Sequence, residues 1–193
     1  GWHSKKALSF PFAHRCEIVS SGGVNYLVAA KVSTYKENPP DWTRPGEVHV
    51  ISMENFARTP WDSQVINRGI TRNHGMVKAP LDGKEVLCIS GAEGVFTVEP
   101  GREGKWEVQQ VFDREVSEVN FVDLDGDGNA EMVTIEPFHG HTINVYKRME
   151  REWQLRFSDS LAFGHGLGSG LFNGKPIIVV GNRSESLALE VFT

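Results

Sequence analysis

Cysteine is scarce in this sequence: Cys16 and Cys88 are the only two among 193 residues. They match neither a disulfide framework nor a zinc spacing, and both fall in apolar-periodic segments, so buried free thiols are expected. Long apolar runs are missing too. Runs such as Ile177-Ile178-Val179-Val180 fall far short of the roughly 20 residues a membrane helix needs, so no membrane span is expected. Lys and Arg nowhere cluster with aromatics, and 20 basic against 25 acidic residues leave a net charge of −5. That argues against nucleic acid as a partner. Helical periodicity is absent. No Ser-His-Asp array, P-loop or dinucleotide fingerprint is found, which removes phosphoryl and hydride transfer. The chain opens on Gly1-Trp2 with neither an initiator Met nor a leader, the expected mark of a trimmed or engineered start.

What the sequence does have is turn residues and a repeat. Four tryptophans each open a polar-apolar alternation: Trp2, Trp61, Trp106 and Trp153. Twelve or thirteen residues later stand His14, His74, Val119 and His165, and eight residues beyond each lies a turn: Gly22-Gly23, Asp82-Gly83, Asp127-Gly128 and Asn173-Gly174. Gly and Asn-Gly supply the positive φ of a two-residue hairpin. An apolar burst follows every turn, and a further strand closes every unit. Each unit therefore holds four antiparallel strands over roughly 45 to 60 residues, the size of a β-propeller blade. The expected fold is an all-β propeller of about four four-stranded blades forming one domain, with repeats near 2–53, 61–99, 106–147 and 153–192. The alternative is a β-sandwich with accidental self-similarity. The phase of the termini leaves two arrangements: Trp2 to Leu8 completes the sheet ending at Phe192, or the propeller is partial and is completed by another chain or domain.

One turn is acidic. Asp123-Leu-Asp125-Gly-Asp127-Gly-Asn129-Ala-Glu131 places carboxylates at positions one, three, five and nine of an interstrand loop. Alternate side chains there converge, Gly128 permits the bend, and the Asn129 carbonyl can complete an oxygen cage for calcium. The competing reading is a solvated acidic turn. The run from Phe121 to Val133 resembles the calcium loop of FG-GAP/VCBS-type propeller repeats. That resemblance implies a propeller with one structural calcium, bound between a blade's first and second strands. The other three turns lack the carboxylates.

His14, His74 and His165 all occupy the position that enters a blade's first strand, and in a propeller those strands are innermost. Three imidazoles from three blades are thus expected on one face, pointing to the axis. His139 and His141 belong to a second-to-third-strand loop and so to the same face, as does the insertion from Ser33 to Gly46 with Tyr35, Trp42 and Arg44. Such a cluster suits zinc or proton exchange near neutral pH. The alternative role for each His is to hold a strand end by bonding to backbone. Glu118, beside Val119, is the carboxylate nearest the inferred centre. His14, His74, His165 and Glu118 are therefore the candidate catalytic groups, and His139, His141, Trp42 and Arg44 the candidate substrate-binding groups.

Ala13-His14-Arg15, Asn73-His74-Gly75 and Phe163-Gly-His165-Gly are similar to strand openings in the propeller domains of aldos-2-ulose dehydratases and some polysaccharide lyases. That similarity implies a carbohydrate-active lyase or dehydratase. There an imidazole or Glu118 takes a proton α to a carbonyl, a second group protonates the leaving hydroxyl, and a metal or Arg stabilises the enolate. The alternative function is a non-catalytic binding or scaffold propeller for a protein or glycan.

Overall fold

The computed structural model describes residues 1–39, 41–183 and 188–193. Strands hold 57% of the chain, and among the described residues the helical content is one 3-10 turn, Arg102–Gly104. The all-β expectation therefore holds, and the strands form four antiparallel sheets arranged as the blades of a propeller. Blade 1 is β1 (Ala13–Ser21), β2 (Val24–Lys31), β3 (Glu47–Ser52) and β4 (Gln64–Asn67). Blade 2 is β5 (Met76–Leu81), β6 (Lys84–Gly91), β7 (Gly94–Pro100) and β8 (Trp106–Phe112). Blade 3 is β9 (Glu118–Val122), β10 (Glu131–Glu136), β11 (Thr142–Met149) and β12 (Glu152–Ser160). Blade 4 has three strands, β13 (Gly164–Phe172), β14 (Lys175–Asn182) and β15 (Leu189–Phe192).

The predicted turns explain the pairing. Asp82 and Gly83 both have positive φ, at 52° and 75°, as do Asn173 and Gly174, at 51° and 76°. Two consecutive left-handed residues match the twist of the strands they join. The first strands touch in series, β1 to β5 to β9 to β13, which makes them the inner strands.

Burial follows the spaces between blades. Val28, Val48 and Val50 of blade 1 meet Leu87, Ile89 and Val98 of blade 2. Ala79, Leu81 and Cys88 of blade 2 meet Phe121, Met132 and Tyr146 of blade 3. Val133, Ile135 and Ile143 of blade 3 meet Ile178 and Val180 of blade 4. Among the described residues no fourth cluster joins blade 4 to blade 1. Leu189 and Val191 of β15 stay 75% and 60% exposed.

Two expectations are corrected here. Residues 2 to 8 form no strand and do not complete the last sheet. They lie against blade 1 instead, where Ala7 accepts the Trp61 N–H at 2.8 Å and Lys5 Nζ donates to the Ala57 carbonyl at 2.7 Å. The Ala7 carbonyl is thereby engaged by blade 1 and not by β15. Cys88 is buried as expected, and burial pushes its thiol up to about 12, but Cys16 is exposed because it lies on the uncovered side of β1.

Candidate functional site

The inner strands bring the imidazoles to the axis through local irregularities. In blade 1, Ala13 pairs with Lys31 and Arg15 with Ala30, so His14 is an extra, unpaired residue. In blade 4, Gly164 pairs with Asn182 and Gly166 with Gly181, which leaves His165 in the same situation. A bulge of this kind turns a side chain away from its place in the pleat. His74 precedes β5, where its N–H donates to the Ser90 carbonyl at 2.9 Å. A Cβ on the next residue, Gly75, would lie 2.3 Å from Ser90 Oγ, so a larger residue would have to displace that hydroxyl.

Blade 3 has Val119 where the others have His, and its imidazole comes from the β10–β11 loop instead. His139 adopts φ of 49° and donates its N–H to Ser117 Oγ at 3.1 Å. A Cβ on Gly140 would fall 2.1 Å from the Glu136 carbonyl oxygen, so the loop closes tightly on itself. The Gly164 N–H donates to the Gly140 carbonyl at 2.8 Å and ties this loop to the start of β13.

The result is a compact group. His74, His139 and His165 each offer a ring nitrogen, and these atoms all lie within 4.8 Å of one another. Nε2 of His74 and Nε2 of His139 are 3.3 Å apart. Two nitrogens on a tetrahedral zinc at about 2.0–2.1 Å would be separated by about 3.3 Å, so this pair already has the required bite. The trio thus contains His74 and His165 of the expected three, with His139 in the third place. His14 stacks beside His74 with ring centroids 4.1 Å apart, and its Nδ1 donates to the His74 carbonyl at 3.2 Å. That bond leaves Nε2 of His14 as the ring's basic nitrogen.

Glu118 is buried behind His74. Its Oε1 lies 2.8 Å from His74 Nδ1 but off the line of the N–H, and it also pairs with Arg15. The carboxylate favours the Nδ1–H form of His74, and so turns the Nε2 lone pair toward His139. Burial holds the His139 pKa down to about 4, helped by His74, His165 and Arg183. Crowding by protein atoms likewise lowers His14 to about 4, with His74 and Arg15 adding to it and Glu118 opposing; the outer edge of His14 stays open to water, which softens the effect. Both rings are neutral at pH 7, the form that a metal ligand or a base requires.

Other predicted residues stand at the rim. Trp42 packs edge-on to Phe138 at 5.0 Å and lies 6.4 Å from His139, with Lys36 over its face. Phe138 stacks on His139 at 3.9 Å and Phe163 lies 5.7 Å from it. His141 points elsewhere, donating from Nδ1 to the Ala162 carbonyl at 2.7 Å. Tyr35 and Arg44 are exposed; Arg44 is held through its carbonyl by Ser33, not drawn to the imidazoles by its side chain. Phe138, Phe163 and Arg183 were not singled out from sequence, though Phe138 and Phe163 sit within two residues of His139 and His165, a proximity that could have marked them.

At the opposite ends of the inner strands, the acidic loop brings together three of the four expected carboxylates. Oxygens of Asp123, Asp125 and Asp127 come within 4.8 Å of one another. The loop is braced by Asp123, which accepts the N–H groups of Gly126 at 2.8 Å and Gly128 at 2.9 Å. Glu131 is buried and accepts the Leu124 N–H at 2.8 Å. Asn129 donates its N–H to Asp127 at 2.8 Å. Sequence reasoning missed Lys147 on β11. Its ammonium lies 2.7 Å from Asp127 and 3.1 Å from Glu131, and pairs with Asp125. It holds the Asp127 carboxyl below the usual carboxylate range.

Compared with known protein families the chain matches none, and no curated protein matches it.

Proposed function

We propose that this propeller binds zinc through His74, His139 and His165 and acts as a carbohydrate lyase or dehydratase on the face where those rings meet. The reading rests on one observation: three ring nitrogens from three blades lie within 4.8 Å of one another, with a buried carboxylate behind one of them. Three nitrogen ligands leave a fourth position open, the pattern of catalytic rather than structural zinc. Zinc bound there would polarise a substrate carbonyl and stabilise the negative charge left when the α proton departs. His14, neutral and with Nε2 free of backbone, is placed to take that proton. Trp42 and Phe163 give apolar walls suited to a sugar ring, and Arg15 is held in place by Glu118.

The loop at the other rim is the candidate calcium site, with Asp123, Asp125, Asp127 and Glu131 as side-chain ligands and Asn129 through its carbonyl. Its oxygen-only donor set fits a hard cation, and Lys147 would have to withdraw as the ion enters.

A second reading is a metal-free scaffold or binding propeller. It is favoured by the same 3.3 Å contact, since one of the two Nε2 atoms could carry a proton and donate to the other. Metal analysis separates the two. Zinc near one per chain, lost in His139→Ala and kept in His141→Ala, supports the centre. No zinc in the parent protein after incubation with excess metal and dialysis rejects it and leaves the scaffold reading. Elimination from an added sugar substrate, measured as a new unsaturated carbonyl absorbance, must then depend on the bound zinc.

A further inference from the structure

Blade 1 carries a second constellation, away from the axial rings. Glu47 and His49 stand two apart on β3 and so share one face of the strand. His49 is buried, and its Nε2 lies 3.0 Å from Glu47 Oε2. Its other nitrogen, Nδ1, lies 3.1 Å from Oγ of Ser63, an exposed residue just ahead of β4. Glu47 is kept ionised: Lys31 above all, and His49 after it, bring its pKa down to about 2. An ionised carboxylate fixes the proton of His49 on Nε2, which leaves the Nδ1 lone pair facing the Ser63 hydroxyl. Phe10 lies edge-on to the ring at 4.7 Å and shields it from water. A cleft of about 420 Å³, lined by Arg58, Trp61 and Asp62, ends at the residue before Ser63; Ser63, His49 and Glu47 do not line it.

From this geometry we infer that Ser63 is an activated nucleophile, with His49 as its general base and Glu47 as the residue that positions the base, and that the site accepts acyl groups from carboxylic esters. The sequence shows no Ser-His-Asp signature because Glu47 and His49 come from β3 and Ser63 from the segment just ahead of β4, with glutamate in the acidic place. The two ring nitrogens are exchanged relative to the commoner arrangement, but the roles depend on geometry and tautomer rather than on which nitrogen is used. In the reaction Ser63 Oγ bonds to the ester carbonyl carbon while its proton passes to His49 Nδ1. The carbon–oxygen bond to the alcohol then breaks and the alkoxide takes that proton. Water repeats the sequence to release the acid and restore Ser63.

The test uses a fluorophosphonate, in which attack by Ser63 displaces fluoride and leaves a stable phosphonyl ester that mass spectrometry locates. The protein is kept in chelator, so the result is independent of the axial metal centre. Ser63 should be labelled at least 100-fold faster than the exposed Ser52, and His49→Gln should slow it by about 10²–10⁴-fold, the usual contribution of a general base. Glu47→Gln reads the positioning role. Burial above all holds the His49 pKa below the ordinary histidine value; of the charged groups facing it, Glu47 raises it and Lys31 and Arg68 lower it. Removing the Glu47 charge should therefore move the midpoint of the labelling rate to lower pH, which a purely structural role would not do. Because His49 is buried and its variants can misfold, the wild-type rate decides first. Labelling of Ser63 no faster than of Ser52 overturns the inference, and so does a His49→Gln protein that keeps its strand content and labels at the parent rate.

Discussion

The two ends of the inner strands gather ligands in opposite ways. At one end four blades each send an imidazole inward, and the rings crowd against one another. At the other end a single blade gathers charged carboxylates in an exposed loop, where a lysine from the same blade already answers them. A cluster of imidazoles, unlike one of carboxylates, does not have to carry charge. A cluster of carboxylates repels itself and needs a cation of some kind, and Lys147 supplies one. Under the proposed function, a borderline metal at the first end would meet no tethered cation, whereas calcium at the second end would compete with the Lys147 ammonium.

The largest break in this comparison comes from His74→Ala. It removes one of three nitrogen ligands and leaves Glu118 buried with Arg15 alone. Zinc affinity should fall by more than the 10–100-fold typical of losing a second-layer partner. Stability should fall as well, because a fully buried ring is removed while Glu118 keeps its ion pair with Arg15. Calcium binding at the far rim should not change, and titration of both metals on the one variant checks this.

Proton competition sharpens the contrast. Folding holds His139 neutral down to about 4, while the unfolded chain takes up that proton near the ordinary histidine value of about 6.5. Stability from this ring is thus complete above about pH 6.5 and is lost as pH falls from there through about 4. In chelator, the denaturation midpoint should drop across that window in the parent and drop less in His139→Ala. Parallel curves for the two proteins would show that the ring is as easily protonated in the fold as out of it.

Calcium gives the next effect. At a concentration about 100 times its dissociation constant, an ion bound only to the folded state adds about 2.7 kcal/mol. For a chain of this size that corresponds to roughly 5–10 °C in melting temperature. Asp125→Ala should abolish this rise while changing little in excess chelator. Equal melting shifts with and without calcium would leave the loop as a turn.

Much of the fold was legible because a propeller repeats its chemistry. The phase from Trp61 to His74 to Asp82-Gly83 recurs from Trp153 to His165 to Asn173-Gly174, and each hairpin carries the positive φ that its residues predict. The site was less legible where function left the repeat. His139 fills a place that Val119 vacates in the aligned position, and it reaches the axis from a different loop. No periodicity encodes that substitution; it follows from the tight turn at Gly140 and the tie to Gly164. The N-terminal segment misled for a related reason, since Trp2 has the form of the other three tryptophans but its neighbours bond to blade 1. Lys147 was invisible because its partners lie on a different strand pair, and only the register of β10 against β11 brings it over the loop.

The smallest predicted effect tests the tethered cation directly. Lys147→Gln keeps the side chain's reach and removes its charge, so Asp125, Asp127 and Glu131 lose their compensating ion pair. Without calcium the variant should melt below the parent, by an amount that shrinks in high salt, because screening weakens repulsion among exposed carboxylates. With calcium the gap should close. The ion no longer has to expel an ammonium, so affinity should rise several-fold, and the two proteins should converge in melting temperature as calcium saturates. Calorimetric titration of both proteins measures the affinity, and paired melts in chelator measure the loss. A lysine that merely decorates the surface would change neither, whereas a lysine that is needed to shape the loop would weaken calcium binding instead of strengthening it.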